Sequence, residues 1–120
     1  MRNSASLAVL LWLGLGTTGA YAHASLDRAD PRVGSTVASA PRAVSLWFTE
    51  KLEPAFSTIE VRNAAGVRVD QGRARVDSTN RNLLQIGLKP LPPGTYRVRW
   101  RVLSVDTHTT EGSFSFQVGQ

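Results

Sequence analysis

The sequence has no cysteine, only two histidines, and a single methionine at its first position. Without cysteine the chain forms no disulfide bond and offers no thiolate to a metal, which excludes metal sites built on sulfur ligands. Long apolar runs are also missing. The one uncharged apolar run, residues 7–16, would rise about 15 Å as a helix, roughly half of a bilayer core. We therefore expect no membrane-spanning helix.

The apolar run lies in an N-terminal pattern that is typical of secretory signal peptides. Arg2 supplies an early positive charge, residues 7–16 form the apolar core, and Ala20-Tyr21-Ala22 provides the small residues of a cleavage site. We predict that residues 1–22 are a signal peptide cleaved after Ala22. Residues 23–120 would then form a single domain of about 100 residues.

The charge of the chain is positive, with 14 basic and 9 acidic residues and a net charge of +5. A basic chain often binds nucleic acid or an anionic surface. Here the arginines are dispersed and alternate with apolar residues, which is typical of the solvated faces of strands. We expect a monomer with no nucleic-acid partner and, after processing, no transmembrane segment.

Alternation of apolar and polar residues with a period of two predicts half-buried β-strands. Turn residues interrupt the pattern at residues 30–34, 39–41 and 89–94, and Asn63 to Gly66 forms a further turn. About seven short strands at this spacing predict an all-β fold, a β-sandwich or a small Greek-key barrel. The individual strand predictions are Ala43–Thr49, Ser57–Val61, Val67–Val69, Leu83–Leu88, Thr95–Leu103 and Gly112–Val118, with Tyr96 and Trp100 in the core.

Both histidines lie at positions that suit a metal ligand. His23 would follow the cleavage site directly, so that its free α-amine and its Nδ1 could chelate one metal ion. Asp106 and His108 are two residues apart just beyond the strongest predicted strand, and on extended backbone they point to the same side. An amine, two imidazoles and a carboxylate in a tetragonal arrangement suit Cu(II).

Each of these residues also has an ordinary interpretation. Asp106 and His108 fit a surface turn, and His23 fits a frayed terminus. Ala22-His23-Ala24 is a second possible cleavage pattern, and a cut after Ala24 would remove His23. The combination of both histidines at such positions with the absence of cysteine is what favours one Cu(II) ion per mature chain.

Several segments together resemble the CopC family of periplasmic copper-binding proteins. They run in order along the chain: residues 23–26, 30–34, 46–50, 93–102, 104–108 and 111–116. The opening His-Ala-x-Leu and the Trp-Arg-Val-x-Ser-x-Asp-x-His run of residues 100–108 are together the most specific. The resemblance implies an Ig-like Greek-key β-barrel and a Cu(II) site made by His23, Asp106 and His108. It also implies a periplasmic carrier or buffer in copper homeostasis or resistance, which delivers copper to a membrane copper importer or a copper-requiring oxidase.

Two departures from the family pattern bear on this site. Thr107 stands where many relatives have glycine, and the stretch from Asn63 to Asn82 lacks the methionines with which some relatives bind Cu(I). Glu50 continues the inward phase of the preceding strand at its end. It is therefore either a carboxylate that holds the free N–H of a histidine ligand or a solvated side chain.

Two other functions fit the same residues. Copper oxygenases that attack polysaccharides use an N-terminal histidine in the same way, but about 100 residues leave little room for a flat substrate surface. An aspartate ligand would also occupy a position that oxygen chemistry needs open. A metal-free Ig-like interaction module is the other alternative. We predict a binding protein that is not an enzyme.

Overall fold

Eight β-strands make up the regular structure of residues 24–120, the part of the chain that the computed structural model describes. This part contains one short 3-10 turn, Pro54–Phe56, and no α-helix; none of its segments is a helix able to cross a membrane. The strands are β1 (Leu26–Asp30), β2 (Thr36–Val37), β3 (Ala43–Phe48), β4 (Thr58–Asn63), β5 (Arg75–Val76), β6 (Leu83–Gly87), β7 (Gly94–Leu103) and β8 (Thr109–Val118).

The strands form two four-stranded sheets. One sheet has the order β1-β3-β6-β5 and the other the order β2-β8-β7-β4. All neighbouring strands are antiparallel except β2 and β8, which run parallel. The two longest strands, β7 and β8, form a hairpin that is paired from Gly94 and Val118 to Leu103 and Thr109. This hairpin sets the length of the second sheet.

The core lies between the two sheets. Alternate residues of β7 are buried, and they meet the buried side chains of β3 and β6 from the opposite sheet. Phe48 of β3 packs edge-on against Trp100 of β7, with ring centroids 5.0 Å apart. Gly112 lies opposite Trp100 in the hairpin, and a Cβ atom there would approach the indole ring to 2.6 Å. Burial of each large side chain stabilises the sandwich by about 1.5–3 kcal/mol.

The structure confirms the all-β sandwich and five of the predicted strands, with ends that differ by at most three residues. Tyr96 and Trp100 are buried, as predicted. The prediction of a strand at Val67–Val69 was wrong, because this stretch makes a single isolated bridge, between Arg68 and Arg62. Three strands were missed. β2 and β5 have two residues each, and β1 carries a bulge between Leu26 and Arg28 that breaks the alternation.

Asp70 is a buried carboxylate that ties the loop after β4 to the sandwich. Its side chain is 1% exposed and accepts hydrogen bonds from the backbone N–H groups of Val61 (2.8 Å) and Gly72 (2.9 Å). Arg68 adds two bonds of 2.8 Å from its guanidinium. Burial acts to raise the pKa of Asp70, but the bonds from Arg68, Val61 and Gly72 outweigh it and hold the pKa below its usual range.

We expect Asp70→Asn to lower the free energy of unfolding by about 2 kcal/mol at neutral pH, since hydrogen bonds to a charged group are lost in a buried place. Because the pKa of Asp70 is lowered by folding, its contribution is present above the unfolded pKa of about 3.9 and is lost as the pH falls through the folded value. Urea unfolding at pH 7 and at pH 3 should show the difference between variant and wild type shrinking in acid. Asp27→Asn, on an exposed part of β1, is the charge-matched control. If the free energies of unfolding of the variant and wild type differ by the same amount at both pH values, this account is contradicted.

Candidate metal centre

Asp106 and His108 lie in the five-residue connection between β7 and β8. The hairpin pairing ends at Leu103 and Thr109, so residues 104–108 form the tip of the hairpin at one end of the sandwich, and residues 105–108 are exposed. The tip closes on itself: the N–H of Ser104 donates to the carbonyl of His108 (3.0 Å), and the N–H of Thr107 donates to the carbonyl of Ser104 (2.8 Å). A long, well-packed hairpin therefore presents both predicted ligands on a short and constrained loop.

Residues 51–53, which lie after β3, contact this loop and hold it through backbone hydrogen bonds. The N–H of Val105 donates to the carbonyl of Lys51 (3.0 Å), and the N–H of Glu53 donates to the carbonyl of Leu103 (2.8 Å). Leu52, fully buried, forms an isolated bridge with Ser104. The loop is therefore held by backbone bonds to the segment between β3 and β4, which limits the positions that its side chains can take.

Ser104 organises the two predicted ligands. Its side chain is fully buried, and its hydroxyl donates a hydrogen bond to Oδ1 of Asp106. The N–H of His108 in turn approaches the same hydroxyl at 3.4 Å. The bond from Ser104, ahead of weaker contributions from His108, holds the pKa of the Asp106 carboxyl below its usual range. Asp106 is therefore an anion at neutral pH, as a metal ligand must be.

The side chains of Asp106 and His108 face one another. Oδ1 of Asp106 lies 3.3 Å from Nδ1 of His108, and the two side chains are 41% and 47% exposed. Two donors that bind one ion at right angles, each at about 2.0 Å as nitrogen and oxygen bind zinc, are about 2.8 Å apart. The two side chains thus need only a small movement to share an ion that arrives from solvent.

The first described residues of the chain reach the same end of the sandwich. Ala24 is fully buried, and its carbonyl accepts a hydrogen bond of 2.7 Å from the hydroxyl of Thr110, two residues beyond His108. Ser25 makes two bonds to Thr49: its N–H donates to the Thr49 hydroxyl (2.9 Å), and its carbonyl accepts from the Thr49 N–H (3.0 Å). The N-terminal segment is therefore docked beside the β7–β8 loop.

The remaining residues predicted for this site are His23 and Glu50. His23, together with the predicted signal peptide and its cleavage site, lies outside the described residues. Glu50 follows the end of β3, as predicted, and is half-buried. It makes no hydrogen bond or ion pair with any residue from 24 to 120, so its suggested role next to a histidine ligand stays a prediction.

Within residues 24–120 the structure brings together two of the predicted metal ligands, Asp106 and His108, and no group of three His, Cys, Asp or Glu side chains that could hold a metal ion. One carboxylate and one imidazole provide too few strong donors for tight binding of Cu(II). The donor set fits a tetragonal Cu(II) ion only if further nitrogen ligands join it. The docked N-terminal segment is the part of the chain that could bring them.

Sequence reasoning missed three residues that shape this end of the molecule: Ser104, Thr49 and Thr110. Ser104 carried a local signal, because a serine two residues before an aspartate can donate to that carboxylate. The two threonines carried none. Thr110 contacts a residue 86 positions earlier in the chain, and that contact exists only because β1 and β8 begin at the same end of the sandwich.

Thr107 has a backbone conformation that is unfavourable for its residue type. Its φ angle is +73°, in the left-handed region, where a β-branched side chain is rare. We expect Thr107→Gly to raise the free energy of unfolding by about 0.5–1 kcal/mol, because the relief of strain exceeds the added entropy of the unfolded chain.

Urea unfolding of the two proteins measures this difference. Thr95→Gly, at an ordinary position on β7, is the control and should destabilise by a similar amount. A loss of stability in Thr107→Gly as large as that in the control would show that the loop carries no strain at this residue.

Comparison with known proteins gives consistent matches. The family model of the CopC domain matches residues 26–119. The copper resistance protein C of Xanthomonas campestris pv. juglandis is 37% identical over 123 residues, which cover 98% of this chain and 96% of that protein. The copper transport protein CutJ of Bacillus subtilis (strain 168) is 32% identical over 120 residues, and this chain spans only 22% of its length.

The fold matches as well. The crystal structure of CopC from Methylosinus trichosporium OB3b superimposes with a TM-score of 0.76 at 34% sequence identity. The match covers 81% of this chain and 94% of that structure. Sequence and fold therefore agree over nearly all of the residues that follow the predicted signal peptide.

Proposed function

Because this chain belongs to the CopC family, we propose that it is an exported Cu(II)-binding carrier or buffer in copper homeostasis or resistance. Relatives that match along nearly their whole length are named for copper resistance. The observation that carries the proposal is the meeting of two parts of the chain. The Asp106–His108 pair and the docked Ala24 lie at the same end of the sandwich.

The proposed site consists of His23, Asp106 and His108, and it binds one Cu(II) ion. Residue 23 is bonded to Ala24, and consecutive Cα atoms lie about 3.8 Å apart. A residue at that place is within reach of the β7–β8 loop, whose last residue, His108, lies two positions before Thr110. After cleavage at Ala22, His23 would contribute an amine and an imidazole to the carboxylate of Asp106 and the imidazole of His108. Together these donors satisfy the tetragonal preference of Cu(II).

The choice of Cu(II) over Cu(I) rests on the donor types. Cu(I) favours thiolate and thioether ligands. The chain has no cysteine, and its one methionine, Met1, would be lost with the signal peptide. The copper ion is cargo in this proposal, and no reaction is assigned to the protein. Export would place it in the periplasm, where it would hold copper for a membrane copper importer or a copper-requiring oxidase.

Titration of mature protein, residues 23–120, tests the proposal. We expect saturation at one Cu(II) per chain and an EPR spectrum of a tetragonal, nitrogen-rich site, because four nitrogen and oxygen donors converge on one position. Cu(I), added under anaerobic conditions with a competing chelator, should bind much more weakly. Two tight equivalents, or Cu(I) held as strongly as Cu(II), would refute the assignment.

A further inference from the structure

The residues directly before β1 are held more firmly than their position in the chain requires. After the predicted cleavage at Ala22 they would stand next to a free chain end, and chain ends are usually poorly ordered unless specific contacts tie them down. Ala24 and Ser25 precede the first strand, so the ladder between β1 and β3, which begins at Leu26, does not include them. The hydroxyl group of Thr110 holds Ala24, and the hydroxyl group and backbone N–H of Thr49 together hold Ser25.

The two threonines come from different sheets. Thr49 follows β3, and Thr110 lies in β8 opposite Val102 of β7. Consecutive residues of the N-terminal segment are therefore fixed between the sheets, with the Ala24 methyl group fully buried in the core. A segment that is fixed at two points, on opposite sides, has little freedom to swing away from the β7–β8 loop.

We propose that Thr49 and Thr110 are positioning residues for the metal site, which hold Ala24 and Ser25, the two residues that follow the predicted N-terminal ligand, beside the loop of Asp106 and His108. The proposal rests on the function proposed above, since it assigns these hydroxyl groups a role in Cu(II) affinity. The physical basis is preorganisation. Copper binding requires the first residue to adopt one position, and a segment that is already ordered loses less conformational entropy on binding.

Thr110 has the larger predicted role of the two. Its hydroxyl lies two residues from His108 and donates to the carbonyl of the residue that follows the predicted amine ligand. Thr49 acts one residue further from the site, and its backbone N–H bond to Ser25 remains when its side chain is changed. Loss of the Thr110 hydroxyl should therefore weaken copper binding more than loss of the Thr49 hydroxyl.

The test compares mature proteins that begin at His23. Thr110→Val removes the hydroxyl and keeps the side-chain volume, whereas Thr110→Ser keeps the hydroxyl. We expect Thr110→Val to weaken Cu(II) binding roughly tenfold, the loss of about one hydrogen bond, and to broaden or shift the Cu(II) EPR spectrum. Thr110→Ser should restore wild-type affinity and spectrum. Thr49→Val should have a smaller effect in the same direction, and Thr95→Val, on an exposed position of β7, should have none.

A second readout needs no copper. In metal-free protein, hydrogen exchange at the Ser25 amide should be faster in Thr110→Val and in Thr49→Val, while amides in the centre of β7 remain protected. If Thr110→Val fails to fold, wild type is compared with Thr49→Val, which lacks a hydroxyl group, and with Thr110→Ser, which keeps it. Wild type that binds no Cu(II) would overturn the proposed function. Wild type that binds Cu(II), with both valine variants equal to it in affinity, spectrum and exchange, would overturn the role of the two threonines alone.

Discussion

Mature protein that begins at His23 is expected to bind Cu(II) orders of magnitude more tightly than the same protein with one extra residue before His23. In the extended form the nitrogen of His23 is a peptide amide, which is a poor donor. In the mature form it is an α-amine with a pKa of about 7.7–8.0 that becomes available to the metal once deprotonated. The extra residue keeps the imidazole, so the comparison isolates the chelate formed by the amine and the ring.

Competition with a chelator of known affinity measures both forms. A matched control carries the extra residue after Gln120 and should bind like the mature protein. Sequencing the N-terminus of exported protein tests the maturation step itself. Equal affinities of the two forms, or a mature chain that starts at Ser25, would show that the amine of His23 is not a ligand.

The second large effect is expected at the β7–β8 loop. His108→Ala should weaken Cu(II) binding by about a hundredfold or more, because the described part of the chain offers no other imidazole to replace it. Asp106→Asn should weaken binding less, about tenfold, since a neutral amide oxygen can still coordinate the ion. Both side chains are more than 40% exposed, so neither change should alter thermal stability much.

Circular dichroism and thermal unfolding establish that the variants keep the fold. Glu111→Gln is a suitable control, because it removes an exposed carboxylate from the same hairpin at a position away from the loop. If His108→Ala and Asp106→Asn both bind Cu(II) like wild type, this loop is not the metal site.

The strands that could be predicted from the sequence are those that bury one face. In β7 the residues Tyr96, Val98, Trp100 and Val102 are buried while the arginines between them are exposed, so the period-two pattern appears directly in the sequence. Strands without this asymmetry could not be predicted from the sequence. β2 and β5 are too short to show a period, and β1 buries only one residue fully.

The buried Asp70 shows another limit of sequence reasoning. An aspartate in a polar stretch predicts a loop, and nothing in residues 66–73 marks this one as buried. Its position depends on Arg68 and on two backbone N–H groups that converge on it. Because a buried carboxylate is stable only when such partners surround it, its role is a property of the folded arrangement.

The sequence by itself determined which donor atoms the protein can offer a metal. The absence of cysteine, the single methionine at position 1, and the Asp106–His108 spacing follow from residue identity alone. The tertiary structure decided where the N-terminal segment lies in relation to that pair. Ala24 and Thr110 are 86 positions apart, and they meet because β1 in one sheet and β8 in the other begin at the same end of the sandwich. That arrangement results from burying the apolar faces of both sheets in one core, a requirement that involves the whole chain and that no local pattern contains.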